Sequence, residues 1–182
     1  MIKPNFFVFT GAPGAGKTTL LTALEQHDIA HIHETAREVI RSRKLQNLPP
    51  RPDPVTFAKL LFEKDVENFI SNSFRNEILL FDRSFPDSAA MLREADENSF
   101  KEIEEQINLR RFNNKVFIAP PYREIYTTDE ERDQSFEDAV TVYDKLYRWY
   151  ESCGYELIIL PRVSVGERVN FFRRSLASLG MT

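Results

Sequence analysis

Residues 11–18 read Gly-Ala-Pro-Gly-Ala-Gly-Lys-Thr, a complete G-x-x-x-x-G-K-[ST] run, and no other stretch limits the fold so tightly. Before it, Phe6-Phe7-Val8-Phe9 reads as a buried strand; after it, Lys17 to Glu25 reads as a helix. Strand, glycine-rich turn and helix together point successive backbone N–H groups inward as a nest for phosphate oxygens, with the positive end of a helix dipole behind them. Gly11, Ala12, Pro13, Gly14, Ala15, Gly16, Lys17, Thr18 and Thr19 are therefore the candidate nucleotide-binding residues. Lys17 is placed to reach the β- and γ-phosphates and the Thr18 hydroxyl to ligate Mg²⁺. The run predicts a chain that binds a nucleoside triphosphate, ATP or GTP, together with Mg²⁺.

From this point the pattern alternates strand and helix to the end of the chain, as a parallel sheet with helices on its faces requires. Strands are expected at about 5–10, 30–34, 77–82, 115–119 and 155–160, and helices at about 17–26, 36–47, 54–73, 86–96, 99–112, 135–152 and 165–179. The last three strands are near-continuous apolar runs, which predicts burial on both faces. Ser135 with Asp138 forms a capping signal before Phe136, Ala139, Val140, Tyr143, Leu146, Tyr147 and Tyr150, and Cys153-Gly154 reads as that helix's stop. Leu48-Pro49-Pro50-Arg51-Pro52-Asp53-Pro54 cannot be helix interior and reads as a link between helices. Residues 120–134 form a long polar stretch after a strand, read as a lid loop. The expectation is one three-layer α/β domain over 1–182: a P-loop NTPase of nucleotide-kinase type, with a five-stranded parallel sheet and a lid.

The strand ends supply the chemistry. Asp82, directly after Ile78-Leu79-Leu80-Phe81, has the Walker-B placement of a Mg²⁺ ligand, and Arg83 beside it offers a planar fork for phosphate or carboxylate. Glu34 follows strand two, where a carboxylate can take a proton from an attacking hydroxyl; Arg37 and Arg41 follow at helical spacing. Strands two and three are expected to flank the phosphate-loop strand, which makes Glu34, Arg37 and Arg83 the acceptor-binding candidates. On the lid, Arg123 and Arg132 are cations able to close over a triphosphate, although Asp129, Glu130, Glu131 and Asp133 surround Arg132. Arg162, after the last strand, is a candidate for flanking the nucleotide base. Lys17, Glu34, Asp82 and Arg132 are the catalytic candidates, with Thr18 and Asp82 as the metal ligands. His31 and His33 alternate on one strand, but no Cys or third His adjoins them, so they read as structural.

Composition removes other classes. A net charge of −4 argues against coating nucleic acid. The single Cys153 excludes an intrachain disulfide framework, and no apolar run approaches a membrane span, so a cytoplasmic protein without membrane contact is expected. Asn114-Lys115 is followed by Val116-Phe117, so the Asn-Lys-x-Asp base-reading motif of small GTPases is missing.

With Gly11–Thr18, Glu34-Thr35-Ala36-Arg37, Asp82-Arg83-Ser84 and Tyr126-Thr127-Thr128-Asp129-Glu130-Glu131-Arg132 in hand, the chain resembles the AAA-type predicted ATPase/kinase family. That family groups with the ribosylnicotinamide-kinase domain of the bacterial NAD regulator. At greater distance Asp82-Arg83-Ser84 is similar to the Asp/Glu-Arg-Ser of deoxynucleoside kinases, while Ser88-Ala89-Ala90 departs from the thymidylate-kinase pattern. The resemblance implies the fold above and a phosphotransferase that moves the γ-phosphate of MgATP to a nucleoside-like or other small-molecule acceptor. Two alternatives stand beside it. One is an NTPase switch or nucleotide-dependent regulatory binding protein with slow hydrolysis; the other is phosphorylation of a macromolecule, including a nucleic-acid end.

Overall fold

The computed structural model describes residues 1–126 and 135–181. In chain order its elements are β1 (Phe6–Gly11), α1 (Lys17–Glu25), β2 (Ala30–Ile32), α2 (Thr35–Leu45), α3 (Pro54–Ser71), β3 (Leu79–Asp82), α4 (Phe85–Ala95), α5 (Glu97–Asn108), β4 (Lys115–Ala119), α6 (Phe136–Ser152), β5 (Glu156–Ile159) and α7 (Val165–Ser178). The five strands form one sheet in the order β2-β3-β1-β4-β5. It is the expected parallel sheet flanked by helices, with Phe9 in register with Phe117 and Phe117 with Ile158. No helix among the described residues is long and apolar enough to cross a membrane.

Local chemistry sets the helix boundaries. Asp53 caps α3 by accepting the Thr56 N–H at 3.0 Å, with Pro54 at the first turn where its missing N–H costs nothing. Asp96 caps α5 by accepting the Ser99 N–H at 2.8 Å. The predicted capping box on α6 is present: the Ser135 N–H donates to Asp138 Oδ2 at 2.9 Å and the Asp138 N–H to Ser135 Oγ at 3.1 Å. Gly154, at φ 76°, ends that helix.

Two expectations about the sheet are corrected. The neighbours of β1 are β3 and β4, whereas β2 lies at the sheet edge beside β3. Chain order does not dictate spatial order, because a helical crossover can pass over a neighbouring strand position. β5 is the other edge strand and is not buried on both faces; Ile159 is 50% exposed despite its apolar run. An apolar run cannot by itself distinguish a central strand from an edge strand.

The chain divides into two compact units, Met1–Val8 with Ile32–Asn114 and Phe9–His31 with Lys115–Thr182. The first is built on a phenylalanine cluster. Phe69 lies 5.5 Å from Phe6 and 4.9 Å from Phe112, and Phe112 lies 5.0 Å from Phe81 and 4.9 Å from Phe85, centroid to centroid. Most of these pairs are edge-to-face, the geometry that the ring quadrupole favours. The second unit has its own triad, in which Phe9 stacks on Phe117 at 4.9 Å and both meet Phe172 of α7. Fifteen Phe are thus absorbed largely as core, as expected.

Candidate functional site

The phosphate-loop unit is set by backbone that only glycine tolerates well. Gly11 has φ 117°, and a Cβ there would stand 2.3 Å from the Ala119 carbonyl oxygen. That close approach lets the Ala12 N–H donate to Ala119 O at 2.9 Å and fastens the start of the loop to β4. Gly16 is the left-handed N-cap of α1, so the free N–H groups of the first turn open onto the loop. Lys17 is buried, and its ammonium donates to Ala12 O at 2.8 Å. Thr18 and Thr19 are exposed, and with Thr22, Ala23, Gln26 and Val165 they line an open depression of about 430 Å³.

The segment after β4 turns through a short 3₁₀ helix, Arg123–Ile125. Arg123 is exposed, pairs with Glu137 at 3.2 Å and lies over the Phe136 ring at 4.1 Å. Arg162 donates to Pro121 O at 2.8 Å, which joins the β5–α7 connection to the start of the same segment. Arg132 lies outside the described residues. His31 is buried and pairs with Glu25 at 3.0 Å.

Sequence reasoning missed Arg168. It is 2% exposed, and its Nη1 donates to Ala15 O at 2.7 Å, its Nε to Pro161 O at 2.9 Å. The signal was available: Arg168 falls with Val169, Phe172 and Leu176 on the buried face of α7, and a charge on an apolar stripe asks for an explanation.

In the other unit, four predicted residues come together with one that was not predicted. Glu34 is the N-cap of α2, two residues beyond β2, and one oxygen accepts from Arg37 Nε at 3.3 Å, the other from Arg83 Nε at 3.2 Å. Arg83 also donates through Nη1 to Asp87 Oδ1 at 3.1 Å. Burial works against the Arg83 charge, but the Asp87, Glu34 and Asp82 carboxylates outweigh it and hold the guanidinium above its usual range. Arg83 has φ 65°, a left-handed conformation that a bulky residue adopts only when its surroundings enforce it. Asp82 closes β3 at 3% exposure. The cap of α4 is supplied by Asp87, whose Oδ2 accepts the Ser84 N–H at 3.2 Å.

Asp65 of α3 lies under this cluster, 6% exposed, bonded to Thr35 and accepting from Ser88 Oγ at 2.9 Å. Burial pushes its carboxyl up to about 7, against the pull of the Thr35 and Ser88 bonds and with the help of the Asp87 and Glu34 charges. The folded state therefore keeps this proton between about 3.8 and about 7 while the unfolded chain releases it, so stability falls as pH rises through that interval. Asp53, Asp96, Asp138 and Glu167 are shifted the other way, and their contribution is lost only as the pH falls below the usual carboxylate range. Urea unfolding of the wild type should lose roughly 2–3 kcal/mol between pH 5 and pH 8 from this group. Asp65→Asn, whose amide oxygen keeps the Ser88 bond, should remove that loss; an unchanged pH slope in the variant contradicts the assignment.

The profile of a family described as an AAA domain matches residues 6–168, so the chain belongs to that family. No curated protein matches it in sequence. Among solved structures it is similar to deoxyadenosine kinase from M. mycoides with products dCMP and a flexible dCDP bound, at 13% identity and TM-score 0.70, covering 95% of this chain and 99% of that one. It is also similar to the NadR protein in complex with NR, at 18% identity and TM-score 0.71, covering 97% of this chain and 52% of that one. A second NadR complex, with NAD and AMP-PNP, gives 14% identity, TM-score 0.70 and coverage of 97% and 50%. The chain thus spans about half the length of NadR. The likeness establishes a P-loop kinase-like fold.

Proposed function

Starting from a member of this AAA-domain family with a kinase-like fold, we propose a cytoplasmic phosphotransferase. It works as one functional domain over 1–182 and moves the γ-phosphate of ATP, or GTP, to a nucleoside-like or other small acceptor. The observation that carries this reading is the Glu34 carboxylate held between Arg37 and Arg83 at the N-terminus of α2. The two guanidinium groups fix the orientation of the carboxylate, which a switch that only binds and slowly hydrolyses nucleotide does not require. An enzyme that activates a hydroxyl requires a positioned carboxylate at its acceptor side. The kinase-like neighbours, one bound to deoxynucleotide products and one to NR, support a nucleoside-like acceptor.

In this reading the loop amides and Lys17 bind the triphosphate, and the depression beside Thr18 and Val165 takes the nucleoside end, with Arg162 near the base. Glu34 accepts the proton of the attacking hydroxyl. Arg37, the more exposed of its partners, turns to an anionic or polyhydroxyl group of the acceptor, while Arg83 keeps the carboxylate in place. Arg123 and, by its place in the sequence, Arg132, which lies outside the described residues, are the further cations assigned to the triphosphate. The Thr18 hydroxyl and Asp82 carboxylate are hard oxygen donors of the kind Mg²⁺ takes, and the ion, when bound, neutralises charge on the phosphates. Asp82→Asn should lower turnover at least about 100-fold and raise the Mg²⁺ requirement while nucleotide affinity changes little, because the loop amides remain. Wild-type behaviour across a Mg²⁺ titration would remove Asp82 from the metal site.

The proposal is tested by screening nucleosides, nucleotides and sugars for acceptor-stimulated ADP release. Stimulation by a small hydroxyl compound supports it. ADP release that no acceptor raises above background returns the chain to the nucleotide-switch reading.

A further inference from the structure

Arg168 is the largest fully buried side chain in the described structure, and it sits behind the phosphate loop, not in a salt bridge. No carboxylate among the described residues pairs with it, and its Nη2 is buried without a hydrogen-bond partner among them. Burial lowers its affinity for the proton, as expected of a cation withdrawn from water. Such a group is expensive to keep. Its compensation comes from two carbonyl oxygens, Ala15 O at 2.7 Å and Pro161 O at 2.9 Å, and from the Tyr122 ring, 5.3 Å from the guanidinium carbon.

The Ala15 bond has a geometric consequence. Ala15 C=O and Gly16 N–H belong to one planar trans peptide and so point in opposite directions. An arginine that draws the carbonyl to itself turns the Gly16 N–H to the loop's other side. The fit is close: a Cβ on Gly16 would lie 3.3 Å from Arg168 Nη1 and 3.0 Å from Ile125 Cδ1. Tyr122 and Ile125 both belong to the segment that follows β4, so one guanidinium touches the loop, the β5–α7 connection and that segment.

We infer that Arg168 is a positioning residue for the nucleotide's phosphates: it locks the Ala15–Gly16 peptide plane, places a buried positive charge behind the loop, and ties both to the segment that follows β4. The inference rests on the reading that the loop binds a nucleoside triphosphate. Bound phosphate supplies the negative charge that the described protein surroundings of Arg168 do not. The contribution therefore grows with the number of phosphates, which packing alone would not produce.

The test uses the full chain carrying Arg168→Met or Arg168→Lys, with MgATP and AMP as calorimetric probes and ligand-free melting as a check on folding. Arg168→Met should weaken MgATP binding about 100-fold and AMP binding far less, with KM for ATP rising more than kcat falls. Arg168→Lys keeps the charge and reaches a single carbonyl, so it should stand between, at about 10-fold. Should the methionine variant fail to fold, the lysine variant decides by the same comparison. MgATP affinity within twofold of wild type in a folded variant, or equal losses for MgATP and AMP, overturns the inference and leaves Arg168 a packing residue. Failure of the wild type to bind MgATP overturns the reading of the loop instead, and the two failures are distinguished by the wild-type titration alone.

Discussion

Lys17→Ala will fold and will not bind MgATP tightly. The buried ammonium donates to Ala12 O within its own loop, and Lys17 opens α1, where alanine is an excellent helix residue. Alanine therefore suits the helix position, and ligand-free melting checks that the variant keeps its fold. The variant loses the only cation inside the loop sequence, and a charge-assisted contact to phosphate is worth about 3 kcal/mol, or about 100-fold in affinity. Turnover should fall by a further factor of about 10²–10³, because charge that develops on the transferred phosphoryl group is left unmatched. Calorimetry on the melting-checked variant measures the first effect and steady-state ADP release the second. Unchanged MgATP affinity in a folded variant would end the assignment of this loop as the nucleotide site.

Glu34→Gln should separate binding from transfer. Glutamine keeps the shape at the N-cap of α2 and one acceptor oxygen for Arg83 or Arg37, but it cannot take up a proton. Arg83 retains Asp87 at 3.1 Å and so stays anchored. Loss of a general base costs about 10²–10⁴ in rate, and acceptor-dependent transfer should drop by that order with MgATP affinity nearly intact. If transfer persists near the wild-type rate, Glu34 is an ion-pair residue that organises α2, and the acceptor site lies elsewhere.

The contrast between what could and could not be read from the chain is physical. Gly11, Gly14 and Gly16 announced the loop because positive φ is a local demand that sequence must answer locally. Ser135 with Asp138 marked a helix start for the same reason. Order in the sheet is not local: β2 lies at the edge because its crossover passes the β3 position, and nothing in its three residues says so. The exposure of Ile159 has the same origin. Glu34 and Arg83 were each legible as strand-end residues, but their mutual bond spans 49 positions and appears only in the fold. Asp65 was silent because a single acid at helical spacing reads as a surface residue until Thr35 and Ser88 close over it. Arg168 was silent because its partners are backbone carbonyls, which leave no mark in composition.

The central claim is transfer to an acceptor, and the fate of the γ-phosphate measures it most directly. ATP labelled at the γ-position, incubated with wild type and with Glu34→Gln in the presence of a nucleoside panel, partitions its label between a phosphorylated acceptor and inorganic phosphate. The account predicts label on an acceptor in the wild type and its loss by about 10²–10⁴ in rate in Glu34→Gln. Label found solely as inorganic phosphate in the wild type, at a rate that no acceptor alters, would contradict it.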